Sequence, residues 1–360
     1  MRPTFPDMTR MILLLGLALW GYSTRAQHTA YVDSLRQVHG VPAIGYAVLT
    51  ADSVLAMEVV GVRRTGTEQV VTLDDRFRIG SCTKTVTSHI AAQLVHSGVI
   101  TWDTRLFDLY PEWKAGSKKA YQQLTLLDLL TFRTRLVRYT YTHPEPLISA
   151  FSGDADAQRT AFAQWALQQP PVPKGDGIHF SNLAYVLAGA MLERASGRSY
   201  AQLVDELATP LGIRFQFGAP NRFDSLAIWG HRPDGTAEAP SDDIKLEWLM
   251  AAGNLNASLP DLVTYAQVHL RGLEGRDPIL SGEGFSNLHR GAPTWALGWM
   301  WTTDPDGSTR SFHVGNPGAF LTYVFVHHAT GRAYVLVANR QSEGTQEALD
   351  SLYLELVRTH

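Results

Sequence analysis

The sequence predicts a mixed α/β fold of the α+β kind: an antiparallel sheet built from both ends of the chain and flanked by N- and C-terminal helices, with a mostly helical unit inserted between its halves. Three observations carry this. Strand-like runs rich in β-branched and aromatic residues cluster at 43–60 and again at 294–339. The stretch from Thr101 to about Leu270 shows helical periodicity broken by turns, and amphipathic patterns stand at both ends. The sheet subdomain then takes residues 27–77 and about 285–360, the helical subdomain about 78–284, and residues 1–26 form a signal peptide.

That leader is read from Arg2 and Arg10, the apolar run Met11 to Trp20, and the small residues Thr24 and Ala26. The run is too short for a bilayer core, which needs about 20 apolar residues, and Thr24-x-Ala26 fits a cleavage site. Cleavage would leave a periplasmic or secreted protein with no stable membrane span; an uncleaved anchor is the competing reading. The residue after the site is Gln27, not the cysteine a lipid anchor requires.

From His28, Tyr31, Val32, Leu35 and Val38 follow helical spacing, ended by Gly40 and Pro42. Ala43 to Thr50 and Ser53 to Val60 form a hairpin about Ala51-Asp52. A helix starting near Ser81 runs to about His96, with apolar positions at Val86, Ile90, Ala91, Leu94 and Val95. Leu124 to Leu130 is a short buried helix, and Arg159 to Gln169 another helix. The surrounding Tyr139 to Asp176 segment reads either as the wall of a pocket or as a plain surface excursion. Asn182 to Ala195 is helical, Ser199 caps the next helix, and Ser258-Leu259-Pro260-Asp261 opens one more. Strands are expected at Thr294 to Trp301, Thr309 to Val314, Phe320 to His327 and Arg332 to Asn339. A last helix presents Leu349, Leu352, Tyr353, Leu356 and Val357 inward.

Composition narrows the function. The 360 residues are 45% hydrophobic, as a packed core requires, and 31 Lys and Arg against 34 Asp and Glu give a net charge of −3. With no basic cluster, a nucleic-acid partner is not expected. Cys82 is the only cysteine, so no intrachain disulfide forms. It reads as a small buried side chain. No histidine pair has metal-ligand spacing, and no metal or cofactor is expected.

Ser81 and Lys84 lie three apart in Phe77-Arg78-Ile79-Gly80-Ser81-Cys82-Thr83-Lys84, hence one turn apart at a helix start. A serine hydroxyl needs a base to act as a nucleophile, and a lysine supplies one once burial lowers its pKa. Two further segments join this S-x-x-K: His179-Phe180-Ser181-Asn182 and His313-Val314-Gly315-Asn316-Pro317-Gly318. Their order and context resemble the serine β-lactamase-like family, which includes class C β-lactamases, D-Ala-D-Ala peptidases and esterases and carries S-x-x-K, Y-x-N and K/H-x-G signatures. Val71 to Asp74, Leu124 to Thr131, Ala252-Gly253 and Leu297-Gly298-Trp299 extend the likeness over roughly Val32 to Val357.

The resemblance implies Ser81 as nucleophile and Lys84 as its activating partner. It implies Asn182 as the amide touching substrate and lysine, and His313 with Gly315 as the strand edge of the pocket. The oxyanion hole would use the N–H groups of Ser81 and of a residue just after Gly315, with Asn316 the candidate. Two positions depart from the family. Phe180 stands where the tyrosine of Y-x-N is expected, and Phe132-Arg133-Thr134-Arg135 replaces the usual histidine-threonine-serine-glycine stretch. Replacement proton carriers are His179, Tyr139, Tyr141, His313, or Lys84 acting alone. Trp295, Trp299 and Trp301 would share one strand face, as core packing or as a pocket lining, and Arg340 could hold a substrate carboxylate.

The expected activity is a serine hydrolase or acyl-transferase acting on an amide or ester of a small molecule or peptide, peptidase or esterase ahead of β-lactamase. The alternative is a catalytically impaired protein that binds peptide or β-lactam-like ligands without turnover. Substrate identity and oligomeric state are not legible in these residues.

Overall fold

A computed structural model of the chain describes residues 28–175, 177–240 and 244–360. The expected signal peptide lies outside the described residues. The strands are β1 Ala43–Thr50, β2 Val54–Gly61, β3 Arg76–Arg78, β4 Gln216–Phe217, β5 Leu255–Ser258, β6 Met300–Thr303, β7 Thr309–Gly315, β8 Leu321–His327 and β9 Arg332–Ala338. The helices are α1 (28–38), α2 Thr83–His96, α3 Leu106–Leu109, α4 Leu126–Leu130, α5 Ala155–Gln168, α6 Asn182–Ser196, α7 Tyr200–Ala208, α8 Ile244–Trp248, α9 Met250–Gly253, α10 Leu259–Leu273, α11 Gly282–Arg290 and α12 Glu343–Thr359.

One sheet has the order β2-β1-β9-β8-β7-β6, with every neighbouring pair antiparallel. Alternation splits it into two faces. Ile44, Tyr46 and Val48 pack with Leu321, Leu336, Leu349, Leu352 and Leu356, so α12 and Val32 of α1 cover one side. Ala43, Ala47, Leu49, Val335 and Val337 point to the other side, into the core shared with the helical region. A small second sheet, β3-β5-β4, stands at the start of the Ser81 segment, where Ile79 N donates to Leu255 O at 3.0 Å.

The central helix is α2, buried on nearly all sides. Even its polar residues Thr83, Lys84, Thr85, Thr87, Ser88 and His89 are buried. Buried polar groups normally find partners, as Thr87 Oγ1 does at Ala251 O, 2.6 Å, and Thr85 Oγ1 at Cys82 O, 2.8 Å; among the described residues, the His89 ring nitrogens are the exception in this helix. Around α2, Thr125 and Asp128 form the capping box of α4, Ser199 and Gln202 that of α7, and Ser258 and Asp261 that of α10.

Several expected elements differ in detail. Ser81 sits in a single 3₁₀ turn, Gly80–Cys82, just ahead of α2. α5 begins four residues earlier than its apolar spacing indicated, because Asp154 accepts from Ala157 N at 2.9 Å and caps it. Residues 294–301 are not one strand. Thr294 at φ 65° and Gly298 at φ 79° fold the segment back on itself, Trp295 bridges to Met300, and β6 begins only there. The three tryptophans therefore share no strand face. Val38 and Val357 are exposed, leaving the inner faces of the terminal helices to Val32 and Leu35, and to Leu349, Leu352, Tyr353 and Leu356.

The sheet meets the Gly80–Cys82 turn through a glycine. A Cβ on Gly315, at the end of β7, would lie 1.8 Å from Ile79 O and 3.2 Å from Cys82 Sγ. Gly315→Ala is therefore expected to lower the melting temperature by about 5 °C or more, as overpacking of this severity does. Gly284→Ala on α11, whose Cβ meets nothing nearer than 3.5 Å, serves as the control. An unchanged melting temperature in Gly315→Ala would mean that β7 does not press on that turn.

Candidate active site

Lys84 is the fixed point of the site. Its Nζ lies 2.9 Å from Ser81 Oγ, 2.7 Å from Asn182 Oδ1 and 2.6 Å from Ala252 O, with the side chain fully buried. Three elements aim at this atom: α2 carries the lysine, the first residue of α6 the amide, and α9 the carbonyl. Ser181 N-caps α6, its Oγ donating to Val137 O at 2.7 Å and accepting from Leu183 N, which orients Asn182.

Burial pushes the lysine pKa down to about 7. Asn182 Oδ1 and Ala252 O can only accept, so each holds one N–H of the amine. In the neutral form the lone pair is left for the third neighbour, the hydroxyl of Ser81. The arrangement is suited to taking the serine proton.

His313 occupies the strand side. Its Nδ1 lies 2.7 Å from Gly298 O, and since a carbonyl only accepts, Nδ1 carries the hydrogen. Burial first, and then the nearby lysine charge, holds its pKa near 3, so the ring is neutral near pH 7. Gly298, at φ 79°, is pressed against α2: a Cβ there would lie 2.5 Å from Lys84 O. Asn316 comes close to the Ser81 turn in the same way, since a Cβ on Gly80 would lie 2.8 Å from Asn316 N. Two backbone N–H groups, of Ser81 and Asn316, thus stand at the Gly80–Cys82 turn.

Phe180 faces the lysine with a ring instead of a hydroxyl, its centroid 5.5 Å from Nζ. It packs against Phe132 at 4.8 Å and Trp295 at 5.9 Å, and Trp295 in turn against His313 at 5.3 Å. Phe132 holds a left-handed φ of 56°, uncommon for a side chain of that size. Arg133 is bound to the carbonyls of Thr131, Pro293 and Trp295.

The other proton-carrier candidates fall at different places. Tyr139 Oη is buried without a partner among the described residues, and burial raises its pKa to about 12; its ring stacks on His143. Tyr141 lies on the strand side, where its hydroxyl would be 2.7 Å from a Cβ on Gly318, beside the Asn316 loop. His179 donates its backbone N–H to Phe132 O at 3.0 Å, and its ring lies toward Gly175. Arg340 is not brought to this cluster by its hydrogen bonds, which run from Nη1 to Gly40 O at 2.6 Å and from Nη2 to Pro233 O at 2.8 Å. Cys82 is buried, its thiol pKa driven up by burial and its Sγ near His313 O and Thr322 O.

The carbonyls of Ala252 and Gly298 were missed as individual contributors. Backbone atoms carry no residue-type signal, and only the glycine at 253 or 298 marks where the chain comes close. Among the described residues no group of His, Cys, Asp and Glu could hold a metal ion, and no helix is long and apolar enough to cross a membrane.

Residues 28–358 match the family described as Beta-lactamase. Penicillin-binding protein 4 of Amycolatopsis lactamdurans is 26% identical over 331 residues, covering 85% of this chain and 83% of that protein. Among solved structures, the octameric penicillin-binding protein homologue from Pyrococcus abyssi superposes with a TM-score of 0.74 at 21% identity, covering 92% of this chain and 77% of that one. The D-amino acid amidase from Ochrobactrum anthropi superposes with a TM-score of 0.72 at 21% identity, covering 92% and 99%. The structural likenesses at this identity establish the fold.

With the lysine pKa near 7 and that of His313 near 3, the reactivity of Ser81 should follow the lysine. Labelling of Ser81 by a fluorophosphonate is expected to be flat above pH 7 and to fall about tenfold per pH unit below it. Lys84→Arg, which keeps its charge at every accessible pH, should lose labelling by about 10²-fold or more. A Lys84→Arg variant that labels normally would assign the base to another residue.

Proposed function

The chain belongs to the beta-lactamase family, and from that premise we propose that it cleaves an amide or ester through an acyl-enzyme on Ser81. The observation that carries this reading is the Ser81–Lys84 contact, held by Asn182 Oδ1 and Ala252 O with the amine fully buried. In acylation the Ser81 oxygen attacks the substrate carbonyl carbon and its proton passes to the neutral Nζ. Negative charge on the carbonyl oxygen is met by the N–H groups of Ser81 and Asn316. Collapse breaks the bond to the leaving group, which departs with the proton from Lys84. Water, or another acceptor in a transferase, then attacks the ester, gives its proton to Nζ, and Ser81 leaves and regains it.

Phe180 lacks a proton to exchange, so Lys84 carries both transfers. Loss of a positioned acid/base typically costs 10²- to 10⁴-fold, and the burden falls on deacylation, the step β-lactam turnover depends on. Peptidase or esterase activity is therefore ranked ahead of β-lactamase activity, with a small molecule or peptide as substrate. The leader-like N-terminus supports a periplasmic or secreted location. A second reading rests on the same phenylalanine: a protein that acylates or binds but does not turn over.

Intact mass after incubation with a fluorophosphonate or a labelled penicillin tests the first step, with Ser81→Ala as control. The proposal expects one adduct, absent in Ser81→Ala, and hydrolysis of simple esters over many turnovers. Phe180→Tyr is expected to speed breakdown of the acyl-enzyme by about tenfold or more. No adduct under any condition refutes the acyl-enzyme; a penicilloyl adduct that never clears, together with no ester turnover, favours the binding reading; turnover that survives Ser81→Ala refutes both.

A further inference from the structure

Ser311 and His313 lie two apart on β7 and are both buried, so they share one face of the strand. His313 belongs to the site; Ser311 belongs to a separate chain of hydrogen bonds. Its Oγ lies 2.9 Å from His328 Nε2 and 2.6 Å from His289 Nδ1, and His289 Nε2 lies 2.8 Å from His269 Nδ1. The outer end is at the surface, where His328 lines a groove with Glu274, Arg290 and His327. The inner end is sealed. His269 Nε2 and both ring nitrogens of His89 are buried without hydrogen-bond partners among the described residues, and the Tyr265 hydroxyl pairs with Thr85; the His89 and Tyr265 rings lie 5.3 and 4.7 Å from that of His269.

Neutral imidazole carries one ring hydrogen, so this chain has two self-consistent polarities. In the first, His328 Nε2 donates to Ser311, Ser311 to His289 Nδ1, and His289 Nε2 to His269 Nδ1. In the second, every bond is reversed. A proton added to His328 gives both its nitrogens hydrogens and permits only the first. The state of one half-buried histidine thereby fixes the tautomers of two fully buried ones.

The chain also touches the site's support. His289 stacks on Trp299 with centroids 4.3 Å apart and an interplanar angle of 23°. Trp299 follows Gly298, whose carbonyl holds His313 Nδ1. We infer that His328, Ser311, His289 and His269 form a proton-responsive relay that positions His313, through β7 and through Trp299–Gly298. The coupling to activity rests on the reading of His313 as part of the catalytic site.

The charged and titratable groups around the relay come from each packed element. They are His89 on α2; Tyr265 and His269 on α10 with the adjoining Glu274; His289 and Arg290 on α11; His327 at the end of β8 and His328 just after it; and Asp277, whose charge favours protonation of His89. Burial, then Arg290, then His327 hold His328 near 4, and burial holds His269 and His289 well below their ordinary value. The sign follows. These folded pKa values lie below the unfolded value of about 6.5, so the stability they contribute is complete above that pH and is lost as pH falls.

The test is ¹⁵N–¹H NMR of imidazole-labelled full chain, titrated from pH 7 to 3.5, for wild type and His328→Gln. The relay requires the ring resonances of His289, His269 and His313 to move together with a midpoint near 4 in wild type and to lose that step in His328→Gln. In parallel, Ser81 acylation in wild type should steepen below pH 4 by about a further tenfold per pH unit, while the variant keeps the single-proton slope and the wild-type rate at pH 7. Resonances of His289 that ignore His328→Gln overturn the relay. A relay step in which His313 does not take part overturns its positioning role. If Ser81 takes no label at any pH, the hydrolase reading fails, and the NMR comparison decides on the relay by itself. Melting at pH 7 checks that the variant folds, and Ser311→Ala, which cuts the chain at its middle, must give the same loss of the step.

Discussion

The structure depends on one buried nitrogen. Carrying a lysine amine out of water costs several kcal/mol if it stays charged, and that cost is tolerable only when every hydrogen finds an acceptor or the proton is shed. Lys84 is placed between the two cases. Three oxygens satisfy the ammonium, and if the proton leaves, two of those oxygens still hold the amine while the third becomes the donor. A pKa near 7 is what such a balance produces. The rest of the fold exists around that atom: α2 brings it, α6 and α9 fix it, and the sheet closes over the nucleophile turn.

Closure is achieved by the absence of side chains. At Gly315, Gly80 and Gly298 an added Cβ would meet Ile79 O, Asn316 N and Lys84 O at 1.8, 2.8 and 2.5 Å. Each contact joins the sheet region to the nucleophile helix through backbone atoms, which hold their positions better than long side chains do. The placement of Ser311 and His313 follows from the same strand. Once Gly315 is seated on Ile79, the period of two puts both on the face that looks into the core.

Much of this was legible in the sequence because it is written in local chemistry. The caps at Ser199 and Ser258 and the S-x-x-K spacing depend on residues within one helical turn, and the hairpin and paired strands on alternation. The Thr294 to Trp301 segment was misread because its alternation is that of a strand, whereas Gly298 and the unusual φ of Thr294 fold it back on itself. The Ala252 and Gly298 carbonyls were unreadable for another reason: any residue supplies a carbonyl. Nor did the histidine chain leave a motif, since His269, His289, Ser311 and His328 come from three elements and an adjoining turn that only the tertiary fold brings together.

Phe180 is where local consistency and chemistry part. A phenol at that position would divide the proton work with the lysine. A phenyl ring packed on Phe132 and Trp295 instead offers the amine a π-face at 5.5 Å, which exchanges no proton. A single group can serve as base in one half-reaction and acid in the next only if its pKa lies close to the working pH; otherwise one of its two forms is too scarce. The lowered pKa of Lys84 meets that condition, whereas His313 near 3 and Tyr139 near 12 do not. Under the proposed mechanism the missing hydroxyl and the burial of Lys84 therefore belong together: a phenyl ring at 180 offers no second proton carrier, and burial brings the pKa of the amine to the value at which one group could do both tasks.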